Sequence, residues 1–298
     1  MVEIINPHIK LKEKFSQNDY EDINNLQKLC LQRDKTTLKL ELDYKLRRAE
    51  DKKENINSLN EFMYYNDNLL IGYIGICHYG GKAIEVNGMV HPEFRRRGIF
   101  RKLYSLVKDE WVKRQSQEML LLSDNNSIPG LEFIKCTEAN YKNSEYEMFL
   151  RDFSKKNIEL HNVILRKATN HDVQEIAKQN SIYSDFEYNE EDIVLPEEEE
   201  KHGSMILIAE FNHNIIGKVH LELSNGIGGI YGFGVLPEYR RKGFGRQILT
   251  RAIEILVEKD SKEIMLQVLA KNKKALDLYK SCGFEVTSTM DYYEINKK

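Results

Sequence analysis

Cysteine is scarce in this chain, with four in 298 residues. Cys30, Cys77, Cys136 and Cys282 are scattered without the spacing of metal ligands, which reads as reduced thiols of a cytosolic protein. Long apolar runs are missing as well. None approaches the roughly 20 residues that cross a bilayer, and the opening residues Met1-Val2-Glu3-Ile4-Ile5-Asn6-Pro7 hold no apolar signal core. The expectation is a soluble, cytoplasmic protein with no membrane partner. An excess of one charge is also lacking: 44 Lys and Arg stand against 47 Asp and Glu, a net charge of −3. Such a balance gives no general drive toward nucleic acid. The triplets Arg95-Arg96-Arg97 and Arg240-Arg241-Lys242 are too short a footprint to reverse that expectation. No G-x-x-x-x-G-K-[ST] occurs, which excludes a nucleotide-hydrolysing P-loop.

What the chain does hold is a turn at residues 235–247, V-L-P-E-Y-R-R-K-G-F-G-R-Q. Before it, Tyr231, Phe233 and Val235 alternate with Gly232 and Gly234, the period of a strand. Pro237 ends that strand, because proline cannot donate to a ladder. After it, Phe244, Ile248, Leu249, Ala252, Ile255 and Leu256 recur at the spacing of an amphipathic helix. A helix N-terminus leaves backbone N–H groups unpaired and carries partial positive charge. Glycines let a phosphate approach those groups, and cationic side chains add charge-assisted hydrogen bonds. The turn therefore has the chemistry of a phosphate cradle.

The same pattern occurs at residues 90–102, V-H-P-E-F-R-R-R-G-I-F-R-K. At a constant offset of 145 residues (Pro92 to Pro237), seven of the thirteen positions are identical. An internal duplication explains this economically. The second copy resembles the GNAT N-acetyltransferase superfamily, whose Gln/Arg-x-x-Gly-x-Gly/Ala signature is matched by Arg240-x-x-Gly243-x-Gly245. Asn272-Lys273-Lys274-Ala275 and Leu278-Tyr279-Lys280-Ser281-Cys282-Gly283-Phe284 are similar to that family's C-terminal helix and turn. The resemblance covers the second half nearly throughout, and the first half from about residue 61 to 149.

Residues 1–154 and 160–298 are expected to form two α/β domains, the linker lying at Ser154-Lys155-Lys156-Asn157. Each domain is expected to be a mixed, mostly antiparallel sheet flanked by helices, a tandem acyl-CoA N-acyltransferase-like architecture. Residues 10–60 read as largely helical, with Ile23, Leu26, Gln27 and Cys30 on one stripe and Leu38, Leu42, Lys45 and Leu46 on another. The charged stretch 47–54 reads as a solvated helix face or loop. Hairpins are expected to turn at Asn66-Asp67-Asn68 and at Asn212-His213-Asn214. The runs 119–122 and 263–269 are buried strands, and 147–152 is the last strand of the first domain. Thr169 or Asn170 caps a helix carrying Val173, Ile176, Ala177 and Ile182. Residues 284–289 and 291–295 finish the second domain as antiparallel strands. The acidic segment 187–201 is either a solvated loop or helix end, or a rim that attracts a cationic amine.

The resemblance implies acetyl-CoA as cofactor, its pyrophosphate resting on Arg240, Arg241, Lys242, Gly243, Phe244, Gly245 and Arg246. Val235 would hold the thioester or pantetheine arm through its backbone, and Asn272 would contact the pantetheine, cap its helix, or both. Tyr279 is the expected general acid for the departing thiolate; a half-buried packing aromatic is the plain alternative. The attacking amine must be neutral, whereas a free alkylamine has a pKa near 10. Glu222 and His220, which share one face of a strand, are the candidate bases, directly or through water. Both positions also suit ordinary surface strand residues. In the first copy, Val90, Arg96, Arg97 and Gly98 keep a CoA-binding potential. Phe100, however, stands in place of Gly245, Ser127 of Asn272, Ile134 of Tyr279 and Glu138 of Gly283. The expected activity is acetyl transfer to a primary amine of a small molecule or peptide, catalysed by the second domain. The first domain is then structural, regulatory or weakly CoA-binding. A non-catalytic tandem CoA-binding sensor or scaffold is the alternative. A monomer with two pseudo-dimeric domains and a homodimer both suit the duplication.

Overall fold

The computed structural model describes residues 2–49, 58–79, 83–153, 163–183, 195–201 and 203–297. The linker expected at 154–157, most of the charged stretch 47–54 and the acidic residues 187–194 lie outside them. The chain divides into two units, Met1–Ser144 with Met290–Lys298, and Glu145–Thr289.

In the first unit the order is β1 (Pro7–Lys12), α1 (Gln17–Asp34), α2 (Leu42–Ala49), β2 (Glu61–Asn66), β3 (Leu69–Cys77), β4 (Ala83–Val90), α3 (Ile99–Lys113), β5 (Glu118–Asp124) and α4 (Ile128–Ile134). Strand β6 (Asn140–Leu150) leads onward. In the second unit come β7 (Ile164–Lys167), α5 (Val173–Tyr183), α6 (Pro196–Lys201), β8 (Ser204–Phe211), β9 (Asn214–Ser224), β10 (Ile227–Val235), α7 (Phe244–Glu258), β11 (Glu263–Leu269), α8 (Lys273–Ser281) and β12 (Phe284–Asn296).

Within each unit the ladder repeats. β1, β2, β3 and β4 pair antiparallel in sequence order, β4 pairs parallel with β5, and residues 290–296 of β12 lie antiparallel to β5. In the second unit β7, β8, β9 and β10 pair antiparallel, β10 pairs parallel with β11, and residues 145–149 of β6 lie antiparallel to β11. Each parallel step is short. β4 and β5 pair only from Ala83↔Glu118 to Val86↔Leu121, and β10 and β11 only from Ile227↔Glu263 to Ile230↔Leu266. Beyond those pairs β10 continues to Val235 and β11 to Leu269 with no ladder between them. An opening at the end of a parallel pair is a natural ligand slot, because backbone groups are left there to bind something other than each other.

The cores follow the expected periodicities. Ile248, Leu249, Ala252, Ile253 and Leu256 of α7 pack on Ile216, Val219 and Leu221 of β9 and on Ile230, Ile264 and Leu266. Leu103, Tyr104, Val107 and Trp111 of α3 do the same on Ile71, Ile74, Ile84 and Met119. Ile23, Leu26 and Cys30 form the buried stripe of α1, whose N-terminus carries a Ser16–Asp19 capping box. Both hairpin turns form where expected, with Asp67 at φ 51°, Asn212 at 49° and His213 at 62°. In the second turn both central residues, Asn212 and His213, have positive φ, which matches the right-handed twist of the flanking strands.

The stretch 10–60 carries helices α1 and α2 as expected, and Pro7–Lys12, overlapping its start, is an edge strand whose pattern of exposure gives little apolar signal. Three readings of the sequence need correction. Ile182 of α5 is 39% exposed, and Gln179 is buried in its helix instead. The strand near 147–152 is longer and pairs in the second unit. The strands expected at 284–289 and 291–295 are one strand, whose second half pairs in the first unit. Strand propensity fixes that a segment is extended, whereas its ladder partner is chosen by which sheet edge is open.

Among the described residues no helix is long and apolar enough to cross a membrane.

Candidate active site

The end of β10 is where the two copies part. In the second unit the register with β9 runs evenly from Ile227↔Ser224 to Tyr231↔His220, then shifts, resuming at Gly234↔Lys218 and Val235↔Gly217. Gly232 and Phe233 are thus bulged out, with Gly232 at φ 49°. A bulge bends its strand and re-aims backbone groups out of the ladder. In the first unit β3 and β4 pair without interruption from Gly72↔Val90 to Cys77↔Glu85.

The turn that follows has one backbone in both units. A single 3-10 turn (Pro92–Phe94, Pro237–Tyr239) leads to an extended arginine, with φ −65° at Arg95 and −67° at Arg240. Arg96 and Arg241 then take φ 64° and 63°, and Gly98 and Gly243 take 78° and 83° as N-caps of α3 and α7. The first arginine braces the turn: Arg95 Nε donates to Val90 O at 3.0 Å and Arg240 Nε to Val235 O at 2.8 Å. Neither glycine cap supplies a side-chain hydrogen bond to the first helical N–H groups. Backbone N–H groups so placed suit an anion, and among the described residues no atom lies within 4 Å of where a Cβ on Gly98 or Gly243 would sit.

The other candidates sort by what they touch. Arg240, Arg241, Lys242 and Gly243 are exposed. Phe244 is buried against Phe211 and Tyr239, so only its backbone faces the turn. Gly245 is in tight quarters: an added Cβ would lie 3.3 Å from Leu278 Cδ2, 3.7 Å from Val235 Cγ2 and 3.8 Å from Phe233 Cζ. The Arg246 guanidinium donates to Ser281 O at 3.0 Å and to Ser281 Oγ at 2.9 Å, tying α7 to the end of α8. Asn272 caps α8, its Oδ1 accepting from Ala275 N at 3.3 Å.

Tyr279 is buried with its ring near Phe233 and Phe284, at 6.2 and 6.3 Å. Burial pushes its pKa up to about 12, so the phenol stays a proton donor across the neutral range. Glu222 and His220 lie on the opposite face of the sheet from Val219 and Leu221, which pack on α7. His220 faces Tyr231 where the bulge begins, and its Nε2 is 4.0 Å from Glu199 Oε2 of α6. Glu222 pairs with Gly229, two positions back in the regular ladder. The acidic α6 is not merely solvated: Glu197 holds Asn170, and Glu200 pairs with Lys167.

Sequence reasoning missed Lys218 and Tyr183. Lys218 stands one alternation before His220 on the same face, is 4% exposed, and donates from Nζ to Gly232 O at 3.1 Å. The Tyr183 ring lies 5.8 Å from that ammonium and directly on Gly234, which has no room for a Cβ. A lysine inside the apolar run Ile215-Ile216-Gly217-Lys218-Val219 was the available signal.

In the first unit the corresponding slot is filled. Phe100 packs edge-on against Phe133 of α4 at 4.6 Å, and Tyr104 joins them at 5.2 Å. Ile134, in place of Tyr279, is buried and carries no proton. Ser127 keeps the capping role, accepting from Gly130 N at 3.3 Å. Val90 is buried, its carbonyl taken by Arg95, and Arg97 donates to Val2 O and Glu93 O.

The family model described as "Acetyltransferase (GNAT) family" matches twice, over residues 20–135 and 170–284. Thialysine N-epsilon-acetyltransferase of Bos taurus is 43% identical over 49 residues, 16% of this chain and 29% of its own length. The chain thus spans under a third of that relative. The probable N-acetyltransferase san of Drosophila melanogaster is 29% identical over 135 residues, 43% of this chain and 71% of its own. A GCN5-related N-acetyltransferase from Sphaerobacter thermophilus superposes with TM-score 0.76 at 18% identity, covering 97% of this chain and 95% of its own. A tandem GNAT protein from the clavulanic acid biosynthesis pathway reaches TM-score 0.67 at 14% identity, with 98% of each chain covered. At these identities the two structures speak for the fold.

Proposed function

The chain belongs to the acetyltransferase (GNAT) family, and from that premise we propose that its Glu145–Thr289 unit moves the acetyl group of acetyl-CoA onto a primary amine of a small molecule or peptide. One observation carries this reading. An uncapped glycine turn, a bulge in β10 and a buried phenol on α8 coincide in the second unit, whereas in the first β4 pairs evenly with β3 and Ile134 stands where Tyr279 does.

Acetyl-CoA supplies an activated acyl thioester. The first-turn N–H groups of α7, with Arg241 and Lys242, hold its pyrophosphate by charge-assisted hydrogen bonds. The slot beside residues 231–235 of β10 takes the pantetheine arm, and Gly245 keeps that path open next to Val235 and Leu278. Backbone N–H groups at the bulge stabilise negative charge as it develops on the thioester oxygen. The Tyr279 hydroxyl donates to the departing sulfur. A phenol of pKa about 12 is a weaker acid than an ordinary thiol near 8.5. The proton that Tyr279 gives up is therefore returned from the nitrogen that has become cationic on attack. On the other face His220, beside the bulge, accepts the ammonium proton of the incoming amine, and Glu222 relays it to solvent. Glu199 and Glu222 make that face attractive to a cationic acceptor, and a thialysine N-epsilon-acetyltransferase is by its name an enzyme of such an amine.

The Met1–Ser144 unit is proposed to be non-catalytic, since Phe100 and Phe133 occupy its slot and Ile134 offers no proton. The test is chromatographic quantification of CoA released from acetyl-CoA over a panel of primary amines, with Tyr279→Phe as control. The expected result is amine-dependent release that falls in the variant. Absence of acetyl-CoA binding by the wild type would overturn the reading.

A further inference from the structure

Lys218 is costly to bury. A charged amine taken out of water needs compensation, and among the described residues its partners are the Gly232 carbonyl, at 3.1 Å, and the Tyr183 ring face, at 5.8 Å. No carboxylate pairs with it there. The hydrogen bond crosses from β9 to the one residue of β10 that is both bulged out of the ladder and held at φ 49°. The duplication supplies an internal control. The position 145 residues earlier is Tyr73, whose hydroxyl donates to Glu61 Oε2 at 2.5 Å, with Lys45 completing the cluster. The counterpart of Gly232 is Asn87, and there the strand pair is unbroken. A lysine at this strand position and a bulge in the strand facing it are therefore present together in one unit and absent together at the matching positions of the other.

We propose that Lys218 is a positioning residue for acyl transfer: its ammonium, lodged against the Tyr183 ring, pins the Gly232 carbonyl and so fixes the bulge of β10. The proposal deepens the function given above and rests on it for its kinetic consequence only. With the carbonyl held, the neighbouring N–H groups keep one direction, which is what a preorganised oxyanion site requires. Tyr183 also covers Gly234, so the bulged segment is gripped at two points. Burial lowers the Lys218 pKa to about 8. Below that value the bond is charge-assisted; above it, the neutral amine makes a weaker one. Among the described residues the groups around this site are Tyr183 from α5, with Glu175, Glu238 and Arg240 acting on it, His220 and Glu222 on β9, Tyr231 on β10 and, against His220, Glu199 from α6.

The experiment is a pH titration of the Gly232 carbonyl carbon by carbon-detected NMR in wild type, Lys218→Met and His220→Gln. The expected wild-type curve has an inflection near pH 8 that persists in His220→Gln and is missing in Lys218→Met. A flat wild-type curve, or the same inflection in Lys218→Met, overturns the proposal, and the wild-type arm holds even where the Met variant fails to fold. The second arm is steady-state kinetics. Lys218→Met is expected to lower kcat about 10- to 100-fold with KM for acetyl-CoA within about threefold, and Lys218→Arg to recover part of the loss. An unchanged kcat overturns the positioning role. A wild type that transfers no acetyl group defeats the function reading alone, because the NMR arm still decides whether Lys218 holds the bulge.

Discussion

Replacing Gly245 by phenylalanine makes the second unit copy the first at the position where they differ most plainly. Gly245 is helical with an ordinary φ, so the backbone accepts a side chain there, and phenylalanine is the better helix former by about 0.5 kcal/mol. Its Cβ would press on Leu278 Cδ2 at 3.3 Å, the far end of a flexible side chain that can yield. Folding should therefore survive. The ring, however, enters the space bounded by Val235, Phe233 and Leu278, as Phe100 does beside Phe133. Excluding the ligand from two charge-assisted backbone bonds, each worth about 1.5–3 kcal/mol, costs about 3–6 kcal/mol. That is roughly two to four decades in Kd. Calorimetric titration of acetyl-CoA into wild type, Gly245→Phe and Phe100→Gly measures it, with thermal unfolding as the control for folding. The expectation is tight binding in wild type and Phe100→Gly and near-complete loss in Gly245→Phe. Equal affinity in Gly245→Phe and wild type would refute the assignment of the slot to the second unit.

Three other outcomes are expected. Tyr279→Phe should lower kcat by about two to four decades, the usual worth of a positioned acid, with little change in KM for acetyl-CoA; an unaltered kcat would leave Tyr279 as a packing residue. Gly283→Ala should destabilise the second unit by at least about 3 kcal/mol, because φ is 94° there and a Cβ would overlap the Asp152 carbonyl; a melting temperature within 2 °C of wild type would contradict this. The Arg166 guanidinium beside Asp172 lowers its carboxyl pKa from 3.8 to about 2. A depressed folded pKa contributes stability that is present above the unfolded value and lost as pH falls through the folded one. Asp172→Asn should thus cost about 1–2 kcal/mol at pH 7, allowing for the half-exposed arginine, and the difference in urea midpoint should shrink between about pH 4 and pH 2.

The sequence by itself settled whatever depends on local chemistry. Proline, arginines and glycines at fixed spacing gave a strand, turn and helix twice over, and apolar periodicity chose the faces of α3 and α7. The substitutions Phe100 for Gly245 and Ile134 for Tyr279 already distinguished the two copies. The tertiary structure decided what depends on partners distant in the chain. No local rule says that residues 145–149 pair with β11 or that residues 290–296 pair with β5. Ladder bonds are chemically alike, and the choice falls to the open edge. The bulge at Gly232 was equally hidden, since Gly-Phe-Gly reads as regular alternation until β9 fixes the register. Lys218 looked like one more charged residue in a strand. Only the packing of Tyr183 over Gly234, and the reach of an ammonium across one strand to a carbonyl that the ladder had released, gave it a place in the site. Turn chemistry is written in neighbouring residues, whereas burial and register are properties of the assembled sheet.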